Sequence, residues 1–387
     1  MSEQKVEQRF ARVLTKSHKL VIIWLLLAFQ VRTLRGWLLI SRLCPIFWIV
    51  TSTISLAGCG GGASGGGEAG VGPAAASIYV TQDVGILDPP LPSKILRFST
   101  TADGVADPAS TITGPNDVVF NGLAVDGTGS LYVGGAIFNG GGEVLVYAPG
   151  TSGTPTPTRT ITIPVLSVGV NTPPAISALA VDSSGNIYVS STVVVNGLEY
   201  LGISIFPPTA SGDVAPTKVI AGNATDIFPV GFGAGQFAVD SADNIYIAGG
   251  SLQDPDAILI FDSSSTGNVP PTNTLSGSNT MIDDVTGVAL DDAGNIYVAN
   301  GNVMGSTPSI LEFSAGSTGN VAPIRILSGS ATTMVSPGNL SLDSAGNIYV
   351  LNNLNILKFS PSATGNVAPA ATISSVGFVE VNSIAIR

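Results

Sequence analysis

The chain has 387 residues, 44% apolar and only 11% charged, with 47 glycines and 25 prolines; it is too apolar to be disordered and rich enough in turn formers for many short strands. Beyond Cys59, seven basic residues face twenty-four acidic ones, so binding to nucleic acid or to anionic lipid headgroups, which needs clustered Lys and Arg, is not expected. Cys44, Cys59 and His18 are the only residues of their types, which leaves the rest of the chain without a disulfide framework, a His/Cys zinc site, or a Ser-His-Asp or Cys-His nucleophile.

The first 19 residues are polar and basic, and the apolar run 20–29 is short for a membrane span. A second apolar run, 43–58, follows Arg32, Arg35 and Arg42, has the length of a signal-peptide core and ends in small residues. Its end, Leu56-Ala57-Gly58-Cys59, resembles the bacterial lipobox. The resemblance implies that Cys59 is lipidated and becomes the N-terminus after cleavage; an uncleaved membrane anchor is the alternative. Gly60 in place of Asp after the cysteine suits outer-membrane sorting in a Gram-negative cell. More residues precede the core than such signals usually carry, and a mis-assigned start codon is one explanation. The expected division is a signal or membrane segment (1–58), a Gly-rich tether without side-chain surface to bury (59–76), and a domain (77–387). The expected address is the cell envelope, with the chain exported and lipid-anchored at the outer membrane or cell surface.

Within the domain one phrase recurs, Ala-Leu-Asp-Asp-Ala-Gly-Asn-Ile-Tyr-Val at 289–298, with copies from Ala124, Ala180, Ala238 and Ser341. Its tyrosines, with Tyr79, fall at 79, 132, 188, 246, 297 and 349, a period near fifty residues. Each period holds four apolar runs of strand length; in the fifth they are 288–290, 295–298, 310–313 and 324–327. Four short strands per repeat make one blade of a β-propeller. The Asp-x-x-Gly-Asn link between the first two runs predicts a tight hairpin, because Gly and Asn accept left-handed backbone. Asp243 takes the glycine position in one copy. Third runs such as Ile310-Leu311-Glu312-Phe313 are apolar on both faces, as sheets packed between neighbours require, with Arg97, Glu312 and Lys358 expected nearest solvent. Thr-Gly-Asn at 266–268, 318–320 and 364–366 is expected to turn the chain into the outer strand. The first unit lacks an inner strand, and Ser383-Ile384-Ala385-Ile386 at the chain's end matches the missing one. The prediction is an all-β six-bladed propeller of four-stranded blades, closed by the C-terminal strand pairing into the first blade.

The repeated phrase resembles that of NHL-repeat proteins and related six-bladed propellers over residues 77–387. That group includes protein and RNA scaffolds, a zinc lyase and gluconolactonase-like enzymes. The lyase needs histidine ligands that this domain lacks. A calcium site of the gluconolactonase kind, built from carboxylates and amides at the channel mouth, survives as the enzymatic alternative, with calcium as its cofactor. The topology that the resemblance implies would place Asn116, Asp117, Glu199, Asp226, Asp254, Asp256, Asp283 and Asp284 on one rim, where they either solubilise exposed loops or bind a cation or a basic partner. Tyr200, Phe228 and the insertion 193–195 lie at the same rim, as ligand anchors or as packing. No residue is assigned a catalytic role. The expected function is that of a monomeric binding or scaffolding module for a protein or carbohydrate partner at the envelope, with a calcium-dependent hydrolase as the alternative.

Overall fold

A computed structural model describes residues 76–83, 92–137, 141–163, 176–227, 236–249, 256–301, 307–376 and 378–387. Cys59, the tether, Phe228 and Asp254 lie outside the described residues. Six sheets follow one another, each with four antiparallel strands here lettered a to d outward from the centre; Gly212–Asp213 and Gly104–Val105 add a parallel fifth strand to the second and the sixth. In blade 2 they are Val118–Val125, Leu131–Ile137, Gly142–Tyr147 and Arg159–Ile163. In blade 5 they are Val285–Leu290, Ile296–Asn300, Ser309–Phe313 and Arg325–Ser328. Blade 1 takes strand a from the chain's end: Glu380–Ile386 pairs antiparallel with Ser77–Asp83. The fold is a six-bladed β-propeller. Among the described residues no helix is long and apolar enough to cross a membrane.

The a–b hairpins explain why the phrase repeats. In blades 3 to 6 one carboxylate oxygen of Asp182, Asp240, Asp291 or Asp343 accepts backbone N–H groups two and four residues on, at 2.8–3.0 Å. The other oxygen accepts from the Asn side chain four residues on and, at 3.0–3.4 Å, from the Tyr hydroxyl six residues on. In blade 2, Asp126 does the same with Thr128, Ser130 and Tyr132. The turn glycines sit at φ 77–92°, and Asp243, standing for glycine in blade 4, at φ 63°.

Side-chain size follows the wedge shape of the gaps between blades. Near the axis strand a carries Ala124, Ala180, Ala238, Ala289, Ser341 and Ala385, one per blade. Farther out, strand c ends in Phe98, Tyr147, Phe206, Phe261, Phe313 and Phe359, each at most 1% exposed. The hydrophobic clusters each join two adjacent blades, and one joins Phe98 and Ile384 of blade 1 to Tyr349 and Leu351 of blade 6. Residues 71–387 form one compact unit, and every sheet and core cluster is complete within it.

The Thr-Gly-Asn signature does more than turn the chain. At each of the six junctions the glycine of a c–d turn pairs, parallel, with strand d of the preceding blade: Ile112 with Gly153, Ile161 with Gly212, Ile220 with Gly267, Leu275 with Gly319, Leu327 with Gly365, and Ile373 with Gly104 across the closure. Where asparagine follows, its Oδ1 accepts a backbone N–H from the preceding blade, Asn268 from Ala224, Asn320 from Asn279 and Asn366 from Ala331 (2.6–2.7 Å). The clasp covers each outer strand's open edge. Basic side chains reinforce the ring: Arg159 donates to Ala210 O (3.1 Å), Lys358 to Thr100 O (3.0 Å), and Arg325 to Pro361 O, each in the following blade. Glu312, expected near solvent, is instead 8% exposed and ion-paired with Arg325, because an outer-strand arginine must reach across it to the next blade.

Candidate binding surface

The two ends of the strands differ. At one end the a–b connections of blades 2 to 6 are the short hairpins described above, and both carboxylate oxygens of each hairpin aspartate accept hydrogen bonds within the turn. Asp126 and Asp343 show the consequence: burial pushes their carboxyls up, but the surrounding donors outweigh it and hold both below the usual carboxylate range. The partner tyrosines are pushed up by burial and by the neighbouring carboxylates, Tyr246 to about 12. A cavity of ≈ 690 Å³ at this end is lined by Asp126, Asp291, Asp343 and Arg387; the three carboxylates are held in their own hairpins, and Arg387 donates to Gly127 O at 3.0 Å.

At the other end, the rim, the b–c and d–a connections differ in length, and three of the d–a loops share one turn, described below. The b–c link is residues 196–197 in blade 3 but 301–308 in blade 5. In blade 3 the insertion 193–195 extends both strands, Ile187–Val195 and Leu198–Phe206, which meet through Asn196-Gly197 with both residues at positive φ. Tyr200 therefore lies within a strand rather than in a long loop.

The seven predicted rim residues that the structure describes are only partly gathered. Asp256 and the consecutive Asp283 and Asp284 come together across blades 4 and 5, the Asp284 N–H donating to the Asp256 carboxylate. Burial first, and then the charges of Asp283 and Asp284, raise the Asp256 pKa above the usual range. Asn116 and Asp117 form the turn into blade 2 strand a. There the structure adds Glu143, whose carboxyl is raised by burial and by the Asp117 charge. Asp226 adopts a left-handed conformation (φ 54°) in the loop into blade 4, and Glu199 pairs with Val194 in the extended hairpin of blade 3. Among the described residues, no three His, Cys, Asp or Glu side chains stand close enough to hold a metal ion.

Sequence reasoning missed two further features. Inside the channel, Asn339 of blade 6 donates to Gln236 Oε1 of blade 4 (2.8 Å) and to Ser383 Oγ of blade 1 (3.2 Å), and Gln236 donates to Ser177 O of blade 3 (3.4 Å). This amide belt crosses the channel at a cavity of ≈ 240 Å³ between the inner strands. The signal was the column four residues before each hairpin aspartate, where Gln236 and Asn339 stand among Gly122, Ala178 and Gly287. The second feature is Gly-x-x-Thr in the d–a loops, at 222–225, 277–280 and 329–332. Each Thr hydroxyl donates to the glycine carbonyl (2.6–2.8 Å) and accepts the N–H two residues on. The intervening residue, Asp226, Met281 or Thr333, is forced to φ 54–59°.

No protein-family model matches the chain, and no curated protein matches it. Among solved structures it is similar to a protein of unknown function from Bacteroides caccae, at 10% identity and a TM-score of 0.54 over 81% of this chain and 99% of that one. It is also similar to a protein from Lactobacillus plantarum (14% identity, TM-score 0.48, 81% and 99%). A third similar structure is the PQQ-bound aldose sugar dehydrogenase from Streptomyces coelicolor (14% identity, TM-score 0.44, 81% and 90%). The first likeness shows the shared fold, and identities this low carry no activity across.

Proposed function

We propose that this chain is an NHL-like propeller, exported and anchored through Cys59, whose rim binds a protein or carbohydrate partner at the cell envelope. The observation that carries this reading is the asymmetry between the two ends of the blades. The hairpin end repeats the same turns from blade to blade, whereas the rim connections differ in length and sequence; apolar side chains are exposed at both ends, Val105 and Ile324 at the first, Leu198 and Leu354 at the second. Irregular connections on a rigid ring are where a scaffold places its recognition groups. The lack of His and Cys in the propeller leaves a catalytic reading only carboxylate and amide chemistry.

Two experiments test the reading. Labelled palmitate enters the wild-type chain and not a Cys59→Ala variant; label in both refutes the anchor. The propeller captures the same partner from envelope extracts, or the same glycan from an array, as a wild type and as an Asp292→Ala variant of the hairpin end, while Leu198→Ser/Leu354→Ser on the rim loses it. Equal capture by all three, or none by any, refutes the rim.

A further inference from the structure

We propose that the rim sector of blades 5, 6 and 1 docks a polypeptide segment presenting Lys or Arg beside apolar side chains. This names the partner class and rests on the rim-binding reading above. Five exposed large apolar residues share the sector: Met281, Val335, Leu354, Val376 and Val379. They belong to adjoining loops. The Val335 N–H donates to Asn352 Oδ1 (2.9 Å), tying the loop into blade 6 to the hairpin that carries Leu354. Phe378, between Val376 and Val379 in sequence, is buried with Leu351, Ile356 and Phe98, which seats its loop beside the same hairpin.

Met281 is 53% exposed, and the Gly-x-x-Thr loop holds its backbone at φ 59°, as the equivalent loops hold Asp226 and Thr333. A flexible thioether presented in this way adapts to an apolar partner. The neighbouring carboxylates of Asp256, Asp283 and Asp284 set the sign of the charge that completes the match. Along the described residues of the rim, blades 1 to 5 supply carboxylates, whereas Lys94 is the one basic residue. An anionic membrane and a second copy of this acidic rim are both repelled.

The test uses residues 71–387, whose sheets and core are complete, and measures fluorescence anisotropy of an amphipathic Leu/Lys peptide and of its Leu/Glu counterpart. The Leu/Lys peptide is expected to bind, more weakly at high salt, and the Leu/Glu peptide not to bind. Met281→Asn/Leu354→Ser and, separately, Asp283→Lys should each weaken binding about tenfold or more, while Asp292→Ala leaves it unchanged. Equal binding of both peptides, binding indifferent to the rim variants, or no Leu/Lys binding overturns the proposal. A glycan array with the same variants separates the two levels. Rim-dependent glycan binding without peptide binding overturns this inference and leaves the rim reading standing, and no rim-dependent ligand of either kind overturns both.

Discussion

Replacing Asp343 by alanine asks whether the repeated aspartate is structural. Its carboxylate accepts four hydrogen bonds, from the Ala345 and Asn347 backbone, the Asn347 side chain and the Tyr349 hydroxyl, at 2.8–3.0 Å. A hydrogen bond to a charged group contributes about 1.5–3 kcal/mol net. The backbone donors lie in an exposed turn where water replaces the lost acceptor, so their loss is small. Tyr349 is fully buried as a residue, and its hydroxyl has fewer substitutes. The expected cost is therefore about 2–4 kcal/mol rather than the sum of four bonds. Asp343→Asn keeps one oxygen for the backbone but turns an NH2 toward the Asn347 NH2, where two donors meet, and should cost about half as much. Asp292, exposed in the neighbouring turn, serves as the control, with Asp292→Ala expected within about 0.5 kcal/mol of wild type. Urea unfolding of residues 71–387 measures all three. An Asp343→Ala variant as stable as wild type refutes the hairpin account, and one that keeps stability but loses partner binding would place the carboxylate at a ligand.

Tyr147 occupies the column filled by phenylalanine in the other five blades, and its buried hydroxyl has no hydrogen-bond partner among the described residues; burial and the Glu143 charge push its phenol up to about 12. Tyr147→Phe should stabilise by about 1 kcal/mol and raise Tm by about 2 °C for a unit this size, and a loss of stability in calorimetry contradicts the assignment. Asn320→Ala should loosen the junction of blades 4 and 5 by about 1 kcal/mol, visible as faster hydrogen exchange at the Asn279 N–H with the Ala224 N–H of the preceding junction unchanged. The pH dependence has two opposed parts. Asp126 and Asp343, lowered in the fold, contribute stability that is present above their unfolded value near 3.8 and lost as pH falls through their folded values. Asp256, raised, binds its proton more readily in the folded state, so its part of the stability rises as pH falls toward 3.8. Asp283→Asn should therefore stabilise at neutral pH, with the gain fading in acid; a gain that persists at low pH contradicts the repulsion.

The blade count and the strand order were legible because hairpin chemistry is local. Asp291 finds all its partners within six residues, so the requirement is written in every copy, and the column of tyrosines counts the blades. The closing strand was legible because its apolar spacing copies the other inner strands. The clasp was not, since Asn320 accepts from Asn279, forty-one residues away in another blade, and no local pattern distinguishes that from a turn residue. The amide belt failed for the same reason: Gln236 and Asn339 meet across the channel from blades two apart. Strand direction alone puts the described rim residues at one end of the blades. Which of these residues meet depends on how loops of different length fold across neighbouring blades, so Asp256 with Asp283 and Asp284 could not be told from Glu199 and Asp226, and Glu143 was invisible.

The most direct measurement places a photo-crosslinking amino acid at Leu354 on the rim or at Asp292 on the hairpin end of the full chain, in cells producing it. The account predicts a discrete adduct from position 354 and none from position 292. An adduct from 292 alone, equal adducts from both, or none from either would contradict the claim that the irregular rim carries the function.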